Sequence, residues 1–441
     1  MRQLFLSFLL VGTLTAGAQS TTASQVARIS TDDAVERPLF KTFPGEIPYR
    51  IPAIAVNRRG ELIAVSDYRP CGGDIGFGKV DLRYRISDNN GATWSREYVL
   101  AEGDGVKGSK TCGYGDAAIA ADRGSDEAVV VCVTGNTVYG SGSTTRKNPN
   151  RVAVLHSTDG GHHWGRPVDI TEQIYALFDQ SRLGPVDALF FGSGRICQSR
   201  LIHVGHYYRL YAALCARPGG NRVVYSDDLG RTWQALGDIH TSPAPNGDEP
   251  KVEELPNGDV LLSSRVSGGR LFNIFHYLSE RNATGAWEQQ PVLSQKENGG
   301  IKALQNSTNG EILLVDARDN ATHRPVRLAL QSVPLGPGRA NVGIYYKALP
   351  TNKRRAPEWE HYTAKDFATG WGGPLKVTTL GSAYSTMVQQ TDGRIAFFYE
   401  EETYGKGACY TNMYVPLTLE RITDGKFSAL HTQLPPKAKR R

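Results

Sequence analysis

Three arginines stand at the ends of strand-like segments and are the first candidates for chemistry. Arg50 belongs to the tetrapeptide Tyr-Arg-Ile-Pro, Arg265 closes an apolar run that begins at Val260, and Arg339 opens the segment that leads to Tyr345. A planar guanidinium donates two parallel N–H bonds to a carboxylate, whereas lysine offers only a point charge. If the fold brings these strand ends together, the arginines predict a binding site for an organic acid.

Motifs for metal, nucleotide and redox chemistry do not occur in the sequence. It has no HExxH, no GxGxxG that opens a helix and no Walker pattern, and its 10 histidines are scattered. The 6 cysteines form no CxxC pair, so a zinc ribbon is not expected. Disulfide pairing stays open, because several cysteines lie in strand-like runs and can equally be buried thiols. We expect no cofactor.

A repeated turn motif indicates the elements that position these residues. The pattern Ser-x-Asp/Asn-x-Gly-x-(Thr)-Trp begins at Ser87, Ser157 and Ser226, and a degenerate copy runs from Ser279 to Trp287. In each copy the Asp or Asn side chain can bond nearby backbone N–H groups, glycine supplies a positive φ, and tryptophan packs the turn on a sheet. A strand-like run precedes the first three copies. Their spacing of 70 and 69 residues indicates a repeated supersecondary unit.

The repeat predicts an all-β fold with the architecture of a six-bladed β-propeller. Units of this length fit about six times into the chain, and blades arranged radially bury their faces on one another. Further strands are indicated where a glycine turn precedes an apolar run, at 57–64, 256–262, 309–315 and 392–398. Helical patterning is scarce, and 169–180 is the best short candidate.

Together, Tyr49-Arg50-Ile51-Pro52 and the three downstream turn motifs resemble the bacterial exo-α-sialidases (neuraminidases) over nearly the whole chain. The resemblance implies that Arg50, Arg265 and Arg339 clamp the carboxylate of sialic acid. Arg324 and Arg327 are alternatives for the third arginine, because they lie close by and the segment after Arg339 lacks a clean motif.

The resemblance also implies the reacting groups. Tyr384, in Ser-Ala-Tyr-Ser, is the expected nucleophile and Glu249, in Asp-Glu-Pro-Lys, its base. A neutral phenol avoids the repulsion that a carboxylate nucleophile would meet from the substrate's own carboxylate. Asp74, in a glycine-flanked loop, is the expected acid, with Asp67 and Asp81 as alternatives.

Supporting residues follow from the same resemblance. Arg69 and Asp116 are expected to contact the O4 and N-acetyl region of the sugar, and Gln198 its glycerol chain. Glu400 is expected to orient Arg50.

The sequence therefore predicts an exo-α-sialidase that hydrolyses terminal sialic acids from glycoproteins, glycolipids or oligosaccharides, with retention and a covalent tyrosine intermediate. Transfer to another acceptor, and intramolecular release of an anhydro-sugar, use the same residues and stay open. A catalytically silent sialoglycan-binding propeller is the third alternative. The complete set of tyrosine, glutamate and aspartate argues against it, because a lectin needs only the arginines.

The ends of the chain predict export. Residues 1–18 read as a signal peptide, with Arg2 before an apolar run and cleavage after Ala18, so the mature protein is expected to be secreted or periplasmic. An extension (19–40), the propeller (41–432) and a basic tail (433–441) follow. The formal charge of +6 is too small to indicate nucleic-acid binding. No later run is long enough to span a membrane, and we expect a monomer.

Overall fold

Short runs of β-branched and small apolar residues, separated by glycine turns, form nearly all the regular structure. The computed structural model describes residues 35–304 and 308–430, so the predicted signal peptide and basic tail lie outside the described residues. The strands are β1 (Arg37–Phe40), β2 (Tyr49–Val56), β3 (Leu62–Tyr68), β4 (Asp81–Ser87), β5 (Tyr98–Ala101), β6 (Tyr114–Ala121), β7 (Ala128–Thr134), β8 (Arg151–Ser157), β9 (Val168–Asp169), β10 (Ala188–Phe191), β11 (Gly194–Arg195), β12 (Cys197–Val204), β13 (Tyr207–Arg217), β14 (Arg222–Ser226), β15 (Gln234–Ala235), β16 (Pro250–Glu254), β17 (Val260–Val266), β18 (Gly269–Ser279), β19 (Thr284–Trp287), β20 (Val292–Gln295), β21 (Ile312–Asp319), β22 (Pro325–Pro334), β23 (Val342–Ala348), β24 (Gly372–Lys376), β25 (Ser382–Gln389), β26 (Ile395–Glu401), β27 (Thr411–Leu417) and β28 (Phe427–Ala429).

Helices are short and lie in the connections. They are α1 (Thr171–Tyr175), α2 (Ala364–Ala368) and α3 (Leu419–Thr423), with 3₁₀ turns at Ala176–Phe178, Lys296–Asn298 and Pro357–Trp359. The first of them falls inside the predicted helical segment 169–180. Within the described ranges, no helix is long and apolar enough to cross a membrane.

The strands form six small sheets, which confirms the predicted six-bladed β-propeller. From the axis outwards the blades are β2-β3-β4-β5, β6-β7-β8-β9, β10-β13-β14-β15, β16-β17-β18-β19, β21-β22-β23-β24 and β25-β26-β27-β1. Three of the remaining strands add to blades: β11 pairs with β6, β20 with β18 and β28 with β21. Strand β12 continues the broken inner edge of the third blade by pairing with β13. Apolar side chains pack between neighbouring blades.

The first described strand closes the ring. β1 runs antiparallel to β27, with Arg37 opposite Tyr414, and so forms the outer edge of the sixth blade. The sequence predicts an N-terminal extension over 19–40, but residues 37–40 of that segment are an integral part of the propeller. The reason is that the last blade supplies only three strands of its own and takes its fourth from the start of the chain.

The three repeated turns have one shared geometry. In each, the serine hydroxyl accepts the glycine N–H at 2.8–2.9 Å: Gly91 to Ser87, Gly161 to Ser157 and Gly230 to Ser226. The Asn or Asp two residues after the serine accepts a further backbone N–H at 2.8–2.9 Å. All three glycines have positive φ, as predicted. The turns connect the third and fourth strands of blades one to three.

Buried charged side chains on β16 pair with residues outside that strand. Lys251 and Glu253 lie at alternate positions of β16, so their side chains point to the same face of the strand. Lys251 pairs with Glu311 at 3.3 Å, and Arg195 pairs with Glu253 at 2.6 Å. These pairs link β16 to β11 and to the residue before β21.

The cysteines do not form disulfides. All six are unpaired: Cys112, Cys132, Cys197 and Cys215 are buried, and Cys71 and Cys409 are partly exposed. The structure therefore favours the thiol interpretation over the disulfide framework that the sequence left open.

Candidate active site

One buried carboxylate fixes the start of the Arg-Ile-Pro segment. Glu400, on β26, accepts the Nε of Arg50 at 2.7 Å and its Nη2 at 3.3 Å. It also accepts the backbone N–H of Ile51 at 2.8 Å. Ile51 has a φ of +55°, which is costly for a β-branched residue and needs support from its surroundings. Glu400 provides that support and aims the Arg50 guanidinium.

A tyrosine and a glutamate from different blades meet at the centre. The hydroxyl of Tyr384, on β25, donates to Glu249 Oε1 at 2.5 Å. The other carboxylate oxygen, Oε2, accepts Arg265 Nη1 and the backbone N–H of Asn309, both at 3.0 Å. These bonds hold Glu249 with one oxygen aimed at the phenol.

Burial changes the proton affinities of this pair. It raises the pKa of Glu249, and burial together with the adjacent Glu249 carboxylate holds the pKa of Tyr384 well above its usual value. A higher pKa makes Glu249 a stronger base, and it keeps Tyr384 neutral until its proton is removed. Glu249 can therefore activate Tyr384 as a nucleophile, although the Tyr384 phenol is neutral before the reaction begins.

Arginines surround the tyrosine ring. The Cζ atoms of Arg50 and Arg339 lie 5.8 Å and 5.7 Å from the ring centroid of Tyr384. Arg265 lies close to the same tyrosine because it forms an ion pair with Glu249, the hydrogen-bond partner of Tyr384. All three line the same cavity, of about 280 Å³.

The alternatives to Arg339 lie elsewhere. Arg327 forms an ion pair with Asp316 at 2.8 Å, and neither Arg327 nor Arg324 lines the cavity. Arg339 differs because it sits in the connection before β23, at the same end of the blades as the other two arginines.

The expected acid lies on an open loop. Asp74 is in the connection between β3 and β4, with 58 % of its side chain exposed, and its Oδ1 is 3.2 Å from Arg69 Nη2. Asp116, from the second blade, lies 3.9 Å from the same nitrogen. All three residues line the cavity.

The two alternative acids do not line the cavity. Asp67 is fully buried behind Arg69, with 2.7 Å between Oδ2 and Nη2. Asp81 is also buried and binds Arg83 and the N–H of Gly103. Asp74 is the only one of the three aspartates that a substrate could reach.

Gln198 does not reach the cavity, so the predicted contact to a glycerol chain is not supported. Its side chain bonds Asp122 and Arg123, which follow the last residue of β6. The cavity instead lies at the first residues of β6, near Asp116. In the sequence Gln198 follows a glycine turn, and the residues of that turn do not indicate at which end of the blade it lies.

Further residues, which no sequence motif indicated, line the cavity. Tyr139 and Arg217 stack, with the Arg217 Cζ atom 4.6 Å from the ring centroid, and Phe190 meets Tyr139 edge to face. Asp248 and Phe77 complete this side. The one available signal was the length of the connection between β7 and β8 (135–150), because long loops often carry binding residues.

Among residues 35–304 and 308–430, no group of three or more His, Cys, Asp or Glu is arranged to hold a metal ion. The ionisable side chains that line the cavity are carboxylates, guanidinium groups and phenols.

Arginines gather around a tyrosine–glutamate pair in one cavity of this propeller. Comparisons with known proteins show which proteins the chain is similar to. A sialidase from Micromonospora viridifaciens is 29% identical over 373 residues, which cover 82% of this chain and 51% of that protein. A sialidase from Paraclostridium sordellii is 25% identical over 306 residues, which cover 67% of this chain and 70% of that protein.

Solved structures show the same fold. Hadza microbial sialidase Hz136 has a TM-score of 0.62 at 20% identity, covering 85% of this chain and 66% of that one. The Trypanosoma rangeli sialidase complex with 2,3-difluorosialic acid, described as a covalent intermediate, has a TM-score of 0.60 at 17% identity and covers 90% and 60%. The chain matches no protein-family model. It spans about half the length of the Micromonospora sialidase. The curated relatives confirm the resemblance to bacterial sialidases.

Proposed function

We propose that this protein is an exo-α-sialidase that hydrolyses terminal sialic acids from glycoproteins, glycolipids or oligosaccharides. The observation that carries the proposal is the hydrogen bond between Tyr384 and Glu249 inside a cavity lined by Arg50, Arg265 and Arg339. The sialidases among its relatives support the same activity.

In the first step the three arginines bind the substrate carboxylate and hold the anomeric carbon near Tyr384. Glu249 accepts the phenolic proton as the Tyr384 oxygen attacks that carbon. The bond from the anomeric carbon to the glycosidic oxygen breaks, and Asp74 donates a proton to the departing oxygen. The product of this step is a sialyl–tyrosine aryl glycoside, with Glu249 protonated and Asp74 ionised.

In the second step Asp74 accepts a proton from water, whose oxygen attacks the anomeric carbon. The bond to Tyr384 breaks, and Glu249 returns its proton to the phenolate. Two displacements at one carbon give retention of configuration. In both proposed steps, every proton is donated or accepted by Glu249, Tyr384, Asp74, the departing oxygen or water, so neither step requires a cofactor.

The remaining residues bind and orient. Arg69 and Asp116 line the cavity beside Asp74 and are proposed to contact the O4 and N-acetyl region of the sugar. Glu400 holds Arg50 through two hydrogen bonds, so we propose it as the residue that orients the carboxylate clamp.

Substitution of the nucleophile tests the mechanism. With a fluorogenic sialoside, we expect Tyr384→Phe to lower kcat by on the order of 10³-fold or more, since a general base then has no phenol to activate. Tyr399→Phe is the matched control, because Tyr399 is also buried and also bonds a carboxylate, Glu401, outside the cavity. Full activity in Tyr384→Phe, or equal loss in both variants, would contradict the proposal.

Chemical trapping tests the covalent intermediate. A 2,3-difluorinated sialic acid should add its sialyl mass to a peptide containing Tyr384 in the wild-type protein and in Tyr399→Phe. An adduct on another residue, or none while hydrolysis proceeds, would overturn the tyrosine assignment.

Product analysis separates the related activities. NMR of the released sugar distinguishes initial α-sialic acid from transfer to an added acceptor and from an anhydro-sugar. A wild-type protein that binds sialosides but releases no product would instead be a sialoglycan-binding propeller.

We further propose that the protein is exported and monomeric, with residues 1–18 removed. Sequencing the N-terminus of protein recovered outside the cytoplasm should find Gln19 first. Light scattering should give the mass of one chain.

A further inference from the structure

A buried carboxylate outside the cavity organises the acid side of the site. Asp67 Oδ2 accepts Arg69 Nε at 3.2 Å and Nη2 at 2.7 Å. Its Oδ1 accepts the backbone N–H of Asp116 at 3.0 Å. One fully buried side chain from the first blade therefore holds two cavity-lining residues, one of which belongs to the second blade.

The backbone around Asp116 is shaped to meet this carboxylate. Asp116 has a φ of +53°, in the left-handed region that non-glycine residues seldom adopt. The pairing of β6 and β7 is irregular between Gly115 and Ala118. A Cβ atom on Gly115 would lie 2.9 Å from Asp67 Oδ2, so a residue without a side chain is needed for this approach. The bond from Asp67 stabilises the strained Asp116 backbone.

Three carboxylates lie within 4 Å of the Arg69 guanidinium. Arg69 Nη2 lies 2.7 Å from Asp67, 3.2 Å from Asp74 and 3.9 Å from Asp116. The other groups that face Asp67 are Arg50, opposite it on β2, and the thiol of Cys132 on β7. Arg50 is already paired with Glu400, and burial raises the pKa of Cys132 so that the thiol is neutral. The local charge is therefore governed by Arg69 and its three aspartates.

The charge on Asp67 changes near neutral pH. Burial raises the pKa of Asp67 to about 7, against the opposing effect of Arg69. Below that pH Asp67 is neutral, and its hydrogen bonds with Arg69 and the Asp116 N–H lose the contribution of its negative charge. Above it the Asp67 anion makes charge-assisted hydrogen bonds that hold both residues more strongly.

We propose that Asp67 is a positioning residue that fixes Arg69 and Asp116, two residues that line the cavity beside the expected acid. Asp67 itself touches no substrate. The kinetic part of this inference rests on the proposed sialidase function.

The matched pair Asp67→Asn and Asp81→Asn tests the role. Both residues are buried, and each bonds an arginine two positions later and a distant backbone N–H. In Asp67→Asn we expect kcat/KM to fall on the order of tenfold, mainly through a higher KM, because Arg69 and Asp116 lose the carboxylate that holds them. In Asp81→Asn KM and kcat should keep their wild-type values. A wild-type KM in Asp67→Asn, or an equal increase of KM in both variants, would overturn the proposal.

An NMR measurement that does not depend on enzymatic activity separates this inference from the proposed function. In protein labelled with ¹⁵N-arginine, the Arg69 Nε–H signal is assigned through Arg69→Lys. Its chemical shift should change in Asp67→Asn, because Arg69 Nε donates to Asp67, and stay in place in Asp81→Asn. If the wild type cleaves no sialoside, the proposed function fails, while this signal still decides the role of Asp67. Should Asp67→Asn not fold, Asp67→Ser removes the same charge and is measured in its place; an unmoved Arg69 signal there refutes the proposal.

Discussion

At the scale of single residues, Glu400 does more than pair with one arginine. Its carboxylate binds the Arg50 guanidinium, the Ile51 N–H and, at 3.1 Å, the N–H of Tyr384. It therefore links the carboxylate clamp to the backbone of the expected nucleophile. Because Glu400 is fully buried, water cannot replace a bond that it loses.

Replacing this carboxylate should damage both binding and turnover. In Glu400→Gln we expect kcat/KM to fall by on the order of 10²-fold and the stability to drop by about 3 kcal/mol, because Arg50 becomes a buried charge without its partner. Steady-state kinetics and denaturant unfolding measure the two effects. Glu401→Gln, one residue along the same buried strand, is the control and should keep the wild-type KM, because Glu401 accepts hydrogen bonds from Tyr399 and Thr403, which do not line the cavity. A wild-type KM in Glu400→Gln would show that the clamp does not depend on it.

At the scale of elements, the repeated turns fasten each blade to the preceding one. A Cβ atom on Gly161, in blade two, would lie 2.5 Å from Ile63 in blade one, and one on Gly230, in blade three, 3.0 Å from Val129 in blade two. The glycine of the first turn likewise abuts Tyr414 of the sixth blade. The glycines thus serve two purposes, a positive φ and a close approach between blades.

Two glycine substitutions separate these purposes. Gly161 and Gly108 have similar positive φ values of +91° and +84°, but a Cβ atom on Gly108 meets nothing within 4 Å. We expect Gly108→Ala to cost about 1 kcal/mol from backbone strain alone. Gly161→Ala should cost about 2 kcal/mol more, because it also overpacks the interface between blades. Denaturant unfolding gives both values, and equal losses would refute the role of close packing.

At the scale of the whole molecule, the ring is closed by a strand from the start of the chain. β1 pairs with β27, and Phe40, only 1% exposed, packs against Phe398 and Tyr49. The closure joins the sixth blade to the first. The cavity needs both, since Arg50 comes from the first blade and Tyr384 and Glu400 from the sixth.

Weakening the closure should destabilise the whole propeller. We expect Phe40→Ala to lower the free energy of unfolding by about 3–5 kcal/mol, through lost burial and the cavity left behind. Phe43→Ala is the control, because Phe43 is 40% exposed and should cost less than about 1 kcal/mol. Below the transition temperature Phe40→Ala should keep its kcat. Equal stability of the two variants would mean that β1 does not close the ring.

Local patterns in the sequence were enough to predict the architecture. The turn motifs depend on bonds between residues two to four positions apart, such as Gly161 to Ser157, so their spacing was sufficient to predict the repeated unit and six blades. The Arg-Ile-Pro and Ser-Ala-Tyr-Ser segments were informative for the same reason, once their resemblance to sialidases was recognised.

Only the tertiary structure decided which distant residues meet. Glu249 and Tyr384 are 135 positions apart, and Arg339 rather than Arg327 reaches the cavity because of where its strand begins. Gln198 lies at the wrong end of its blade, and strand β1 completes a sheet whose other strands come from the far end of the chain. Local hydrogen bonds depend on neighbouring residues alone, whereas these contacts depend on how the ring closes, which no short segment encodes.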